Sequence, residues 1–389
     1  MSLSITQTPA LVSLAQSPIP FTVLESSASL LTSSSFQYIG ELYYWTGSQF
    51  QSSSAAKYTI AKYPNQSSVG IFDTSKIINS TLTNSLINNP SNVEFFAVDF
   101  YTQYYNGVTY VTGSHVKSST YKALDGYGLM GVEAVGQQIY SSSIYWPLMT
   151  DGPATQSVFI DNYGSAGVYV GDAGTAIPTK VVYTGNTGTG NYNVSSSVSS
   201  SGQIYTYPIA PLQSGFPIST TNLTTYSVQA YSGSTALGLP IQFNVDCVQK
   251  YPNIRIAYKN RFGQFDWINL YMVSRESFNI KRSIYQPQLG SFNSTSLSYQ
   301  KSDSNNRNYI VDAQSSLSAN SFWLPQEQNE LIKQMLVADE IYWIYDEANN
   351  FVRPLSIQNS SITFKTGVVD HLIQYQFEFL FGQSYKLIF

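Results

Sequence analysis

Apolar and polar side chains alternate with a period of two along much of this chain. Ile373, Tyr375, Phe377 and Phe379 point one way along an extended backbone, while Gln374, Gln376 and Glu378 point the other. That pattern predicts a strand with one buried face and one face that is wet or meets a partner. KYTIAKY (57–63) alternates in the same way and stops at Pro64-Asn65, because proline cannot donate to a ladder. VEFFAVDFYTQYY (93–105) predicts a long strand ending at Asn106-Gly107, a strong hairpin signal, with 108–111 as its partner. Asp73 or Thr74 is placed to cap a short helix running through Ile78.

Short strands are expected at 157–160, 167–170, 180–183 and 225–231, with the spacing of a sandwich or barrel. Among them, TGNTGTGNYNVSSSVSSSGQ (184–203) is low in complexity and reads as a flexible loop or hairpin tip. Residues 251–285 predict two strands around the tight turn Asn260-Arg-Phe-Gly-Gln-Phe-Asp266, with Arg255, Lys259, Arg261, Arg275, Lys281 and Arg282 spread along them. Pro325 suits the first turn of a helix, and Leu331, Ile332, Met335 and Leu336 recur at helical spacing, predicting a helix over 325–337 packed on a C-terminal sheet. A strand over 341–345 and a turn over 346–350 follow.

These elements predict a mainly β chain of sandwich- or barrel-like modules with a few short helices. The expected organisation is an N-terminal arm (1–18), a β domain (19–125), a Gly/Ser-rich β domain (126–245) and a C-terminal β domain (246–389). No period of 20–50 residues repeats, which excludes solenoids and propellers.

Composition sharpens this picture. Charged residues are only 11% of the chain, against roughly 25% in an average soluble domain. Tyrosine (31) and phenylalanine (21) are abundant, which argues against disorder and fits surfaces that meet other proteins. A net charge of −4 gives no general attraction to nucleic acid. Cys247 is the only cysteine, so no intrachain disulfide can form, and it is expected as a small buried hydrophobe. The first residues lack the pattern of a signal peptide, and no apolar run approaches the roughly 20 residues that span a bilayer, so the expectation is synthesis in a cytoplasm.

Candidate chemistry is sparse. His115 and His371 each lack a second histidine or cysteine at ligand spacing and are expected at solvated or interface positions. No G-x-S-x-G elbow accompanies the serines. Carboxylates pair in sequence as Asp339-Glu340, Asp346-Glu347, Glu94 with Asp99, and Asp161 with Asp172; a glycosidase would need two of them about 5–10 Å apart across a sugar cleft. Gly185–Gly190 lacks the Gly-Lys-Ser/Thr ending of a phosphate loop, and Asp125-Gly126 with Tyr127-Gly128 reads as a turn. The basic residues around Arg261 could touch phosphate, but are favoured as charge-assisted donors to a neighbouring subunit or as caps of strand ends. The expected catalytic, cofactor and metal sets are therefore empty.

Three segments carry a resemblance. FQYIGELYYW (36–45) with AKYPNQSSVGIFDTSKII (61–78) sets a Pro-Asn…Gly-x-Phe-Asp turn ahead of a short helix. IRIAYKNRFGQFDWINLYMVSRESFNIKRSIY (254–285) contains Asn-Arg-Phe-Gly-x-Phe-Asp and a strand ending in Arg and Tyr. Residues 323–379 run from an acidic helix through a strand and a Val-Arg-Pro-Leu loop to a long closing strand. Together, over about half the chain, these resemble structural proteins from the tails of phages infecting Bacteroidota, including crAss-like phages. The resemblance implies a virion tail, neck-ring or hub component without catalytic residues, made in the host cytoplasm and assembling with itself in a closed ring and with other tail proteins. The alternative is a receptor- or carbohydrate-binding tail or baseplate module using tryptophans such as Trp45 or Trp146; a glycan-degrading tail enzyme stands third.

Overall fold

The computed structural model describes residues 3–33, 35–46, 58–82, 93–128, 148–171, 176–194, 203–246, 251–288, 290–302, 304, 306–346, 351–359, 361–364, 372–382 and 385–387. It is mostly β-strand, with three short α-helices among the described residues. The chain divides into two compact units, Met1–Cys247 with Lys259–Asp266, and Val248–Tyr258 with Trp267–Phe389.

The first unit begins with two sheets. One runs Leu3–Gln7, Pro20–Glu25, Val69–Asp73; the other runs Val12–Leu14, Tyr121–Leu124, Val93–Tyr105, Gln37–Thr46, Tyr58–Lys62. Residues 1–18, read from sequence as an arm, thus supply strands to both. The two sheets share one aromatic core, in which Phe21 meets Phe96, Phe100 and Tyr121, and Phe72 meets Phe100, at centroid distances of 5.1–6.3 Å. Tyr38 closes the layer: its hydroxyl donates to the Ser68 carbonyl (2.6 Å) and accepts from the Glu25 amide (3.1 Å). The expected hairpin forms at Asn106, whose side-chain oxygen accepts from the Val108 and Thr109 amides, while Gly107 takes φ +97°. The short helix is Ser75–Thr81, and Asp73 rather than Thr74 holds its first turn by accepting from the Ser75 amide.

Residues 155–246 build a second pair of sheets in the same unit. Thr155–Phe159, Thr235–Asp246, Thr225–Ser232, Lys180–Gly185 and Gly188–Asn193 form one, and Ser165–Val170 with Gln203–Pro208 the other. Only Thr155–Phe159 joins its neighbour in parallel. Tyr183 and Tyr226 reach across the shared core to donate to the carbonyls of Pro208 and Ile209. The glycine-rich stretch is a hairpin here, because Lys180–Gly185 pairs with Gly188–Asn193 around Asn186-Thr187. The rest of the expected loop, 195–202, lies outside the described residues. A further cluster, including Leu14, Phe95, Leu124, Met149, Tyr169, Ile204 and Phe262, packs residues from both pairs of sheets together.

The second unit is built mainly on one large sheet, ordered Phe265–Leu270, Ile254–Lys259, Ile341–Asp346, Phe351–Ile357, Gln376–Phe381, Arg307–Asn320, Arg275–Tyr285, with Tyr385–Leu387 also paired to Arg307–Asn320. Leu331, Ile332 and Met335 of the helix Asn329–Val337 enter its core beside Tyr375, Phe377 and Phe379. The helix starts later than expected: Pro325 ends the short strand Leu324–Pro325, and a 3-10 turn, Gln326–Gln328, intervenes. The closing alternation holds, with Ile373, Tyr375, Phe377 and Phe379 buried and Gln374, Gln376 and Glu378 exposed.

Candidate functional site

Two features hold the side chains singled out by sequence. The first is the turn Lys259–Asp266, which belongs to the first unit. Asn260 organises it. Its side-chain oxygen accepts from the amides of Phe262 and Gln264, and its side-chain nitrogen donates to the Met149 carbonyl and the Asp266 carboxylate, all at 2.8–3.0 Å. Both donors and both lone pairs are used, as burial at 1% exposure requires. Lys259 donates to Asp125 at 2.6 Å with both side chains buried, and Arg261 forks onto Asp151. The Arg261 guanidinium also lies over the Phe262 ring, 4.4 Å from its centroid.

The turn fits only because two backbones touch. The Tyr127 amide donates to the Arg261 carbonyl at 2.8 Å. A Cβ on Gly126 would stand 2.1 Å from that carbonyl oxygen, and one on Gly263, at φ +75°, would stand 2.0 Å from the Asp125 carbonyl oxygen. Burial pushes the Asp266 carboxyl up to about 7, against the lowering effect of hydrogen bonds from Asn260 and Thr150. Tyr207 is raised by burial first and then by the nearby Asp266.

This geometry corrects the expectation for the basic residues. Lys259 and Arg261 spend their charge inside the chain, on aspartates 134 and 110 residues away, rather than on a neighbouring subunit. In the second unit, Arg255 is buried, stacks on Trp267 (4.7 Å) and donates to Asn269. Arg275, Lys281 and Arg282 differ entirely, standing exposed on the strand Arg275–Tyr285.

That strand opens the second feature. With Arg307–Asn320 it forms a ribbon that continues into the small hairpin Ser291–Asn293 with Ser296–Ser298. Phe278, Ile280, Ile284, Phe292, Tyr299 and Tyr309 are between 45% and 71% exposed along it. A polar cleft of about 340 Å³ lies near its end, lined by Gln288, Ser298, Tyr299 and Arg307 among others.

The remaining candidates do not converge. His115 is exposed, 3.1 Å from Asp99, with its ring beside Tyr101. Glu94 lies five residues from Asp99 on one strand, hence on the opposite face and about 17 Å along it. Glu94 is buried, accepts from Thr81 at 2.8 Å, and is raised by burial. Asp339 is exposed and Glu340 accepts from Tyr342. Trp45 is half-buried, stacked on Phe95, and so is no open sugar platform. Trp146, Asp172, Cys247, Glu347, His371 and the side chain of Asp346 lie outside the described residues. Among the described residues no three His, Cys, Asp or Glu side chains gather to hold a metal ion, and no helix is long and apolar enough to cross a membrane. Sequence reasoning missed Asp125 and Asp151 as counter-ions; their only local signal was a following glycine.

No protein-family model matches the chain, and no curated protein matches it in sequence.

Proposed function

We propose that this chain is a structural subunit of a phage tail or neck, assembling as a ring or tail-hub component with copies of itself and with other tail proteins. Its work is to join parts of a particle, with no bond chemistry. The observation that carries the reading is the ribbon 275–320. The large C-terminal sheet already has a buried core, yet Phe278, Phe292, Tyr299 and Tyr309 stand more than half exposed on this one ribbon. Apolar surface concentrated in this way marks a contact with another molecule. The resemblance of 36–78, 254–285 and 323–379 to tail proteins of Bacteroidota phages supports the class of particle.

The cleft beside Tyr299 favours a second reading, a receptor- or carbohydrate-binding module. An exposed ring flanked by amide and hydroxyl groups offers a sugar both an apolar face and hydrogen bonds. Phage carrying Phe292→Ser and Tyr299→Ser separate the two readings. The structural reading expects incomplete particles by electron microscopy; complete particles that fail to adsorb to host cells support the receptor reading instead.

A further inference from the structure

The strand Arg275–Tyr285 is the outermost of its sheet. It bonds to Arg307–Asn320 on one side, and among the described residues no strand pairs with its other edge. Every one of its residues is exposed. Natural edges are guarded by shortness, bulges, prolines or charged side chains; this one carries Arg275, Glu276, Lys281 and Arg282, so a partner strand must answer those charges. Here residues 275–283 run without a bulge, the ladder slipping only between Ser283 and Ile284.

Directly opposed residues in an antiparallel pair share a face. Glu276, Phe278, Ile280 and Arg282 stand opposite Leu317, Ser315, Ala313 and Val311 and therefore make one face; Arg275, Ser277, Asn279, Lys281 and Ser283 make the other. The strand's single acid and a base thus flank two apolar side chains on the same face.

Two copies of one strand that pair antiparallel are related by a two-fold axis passing through a residue, because only such registers keep each face on its own side. Centred on Asn279, Glu276 meets Arg282 twice and Phe278 meets Ile280 twice. On the other face Lys281 meets Ser277 and Arg275 meets Ser283. Every neighbouring register is worse. Centring on Ile280 sets Phe278 against Arg282 and Glu276 against Ile284; centring on Phe278 sets Arg275 against Lys281; centring on Lys281 opposes it to itself. Asn279 is also the midpoint of the bulge-free run 275–283. The nearest like charges in the favoured register, Lys281 and the second copy's Arg275, lie on a diagonal about 7 Å apart, where the high dielectric of water weakens their repulsion.

We infer that two copies of this chain join edge to edge through Arg275–Ser283, antiparallel about a two-fold axis at Asn279, with Glu276 of each copy paired to Arg282 of the other. A two-fold contact does not close a cyclic ring, so this is a separate contact from the one a ring would need, and it stands whether or not the chain belongs to a virion.

Sedimentation velocity on the full chain tests it. Wild type forms a dimer whose affinity falls at least ~10-fold in Glu276→Arg and in Arg282→Glu, where like charges oppose twice. Mixing these two variants, or combining both changes in one chain, restores association. All the altered side chains are exposed, and circular dichroism verifies that the variants fold. As a second reading, Asn279→Cys places two thiols about 4.5–5.5 Å apart between Cα atoms and cross-links rapidly on oxidation, whereas Ser277→Cys does not. Cys247 alone serves as the control. A monomeric wild type, single variants that associate like wild type, a mixture without preference for the unlike pair, or equal cross-linking at 277 and 279 would overturn the inference.

Discussion

Lys259 donates to Asp125 at 2.6 Å, both side chains almost wholly out of water, across 134 residues of sequence. The pair fastens the turn Lys259–Asp266 to the end of the strand Tyr121–Leu124, and Phe262 follows it into the core shared with Leu14, Phe95 and Leu124. A buried ion pair of this kind adds little net stability but makes each partner indispensable to the other.

Removing one partner is therefore the informative change. Asp125→Leu or Lys259→Met leaves an uncompensated buried charge and is expected to cost about 3–5 kcal/mol, while the double change Asp125→Leu/Lys259→Met costs much less than the sum. Denaturant unfolding of the three variants measures this; additive losses would show that the two groups act independently.

Glycine at 263 is required on two counts. Its φ of +75° alone disfavours a side chain by about 1–2 kcal/mol, and its Cβ would overlap the Asp125 carbonyl. Gly107, at φ +97° but with open space around it, isolates the first count. Gly263→Ala is expected to lower the melting temperature far more than Gly107→Ala. Equal losses would mean that the close approach of the two backbones matters little.

Asp266 makes stability depend on pH. Its folded value near 7 lies above the roughly 4 of an unfolded aspartate, so the folded protein holds the proton more tightly. The resulting stabilisation is complete below about pH 4 and is lost as pH rises through about 7. Asp266→Asn is nearly isosteric and does not titrate. Wild type is thus expected to lose stability relative to this variant between about pH 4 and pH 7, by an amount of order 1 kcal/mol per pH unit, and to level off above that. Glu94, also raised by burial, acts in the same direction in both proteins and cancels in the comparison. A constant difference across that range would refute the assignment.

Tyr38 offers a fourth check. Tyr38→Phe leaves the Glu25 amide and the Ser68 carbonyl without the hydroxyl that bridges them in a closed core. The expected loss is about 1–3 kcal/mol with the fold retained. Unchanged stability would indicate that water replaces the hydroxyl.

Much of the fold was legible wherever side chains reported the period directly. Val93–Tyr105 with its Asn106-Gly107 turn, and the alternation from Ile373 to Phe379, needed no tertiary information. Gly188–Asn193 was less legible because glycine and threonine carry little hydrophobic contrast; its pairing with Lys180–Gly185 sets the structure there. The helix start moved from Pro325 to Asn329 because Leu324–Pro325 pairs with Leu372–Ile373 before the chain can turn. The partners of Lys259 and Arg261 left no trace in local sequence, since Asp125 and Asp151 resemble ordinary turn aspartates until the chain folds. The ribbon's edge was different again: a strand ending in Arg and Tyr was expected there, but its exposure on both faces depends on what the rest of the sheet leaves uncovered.

The most direct test of the assembly account is cryo-electron microscopy of the intact particle that contains this chain. The account predicts density for several copies around the tail or neck axis, with the ribbon 275–320 in contact with another subunit. Density confined to peripheral fibres, with that ribbon facing solvent, would contradict it.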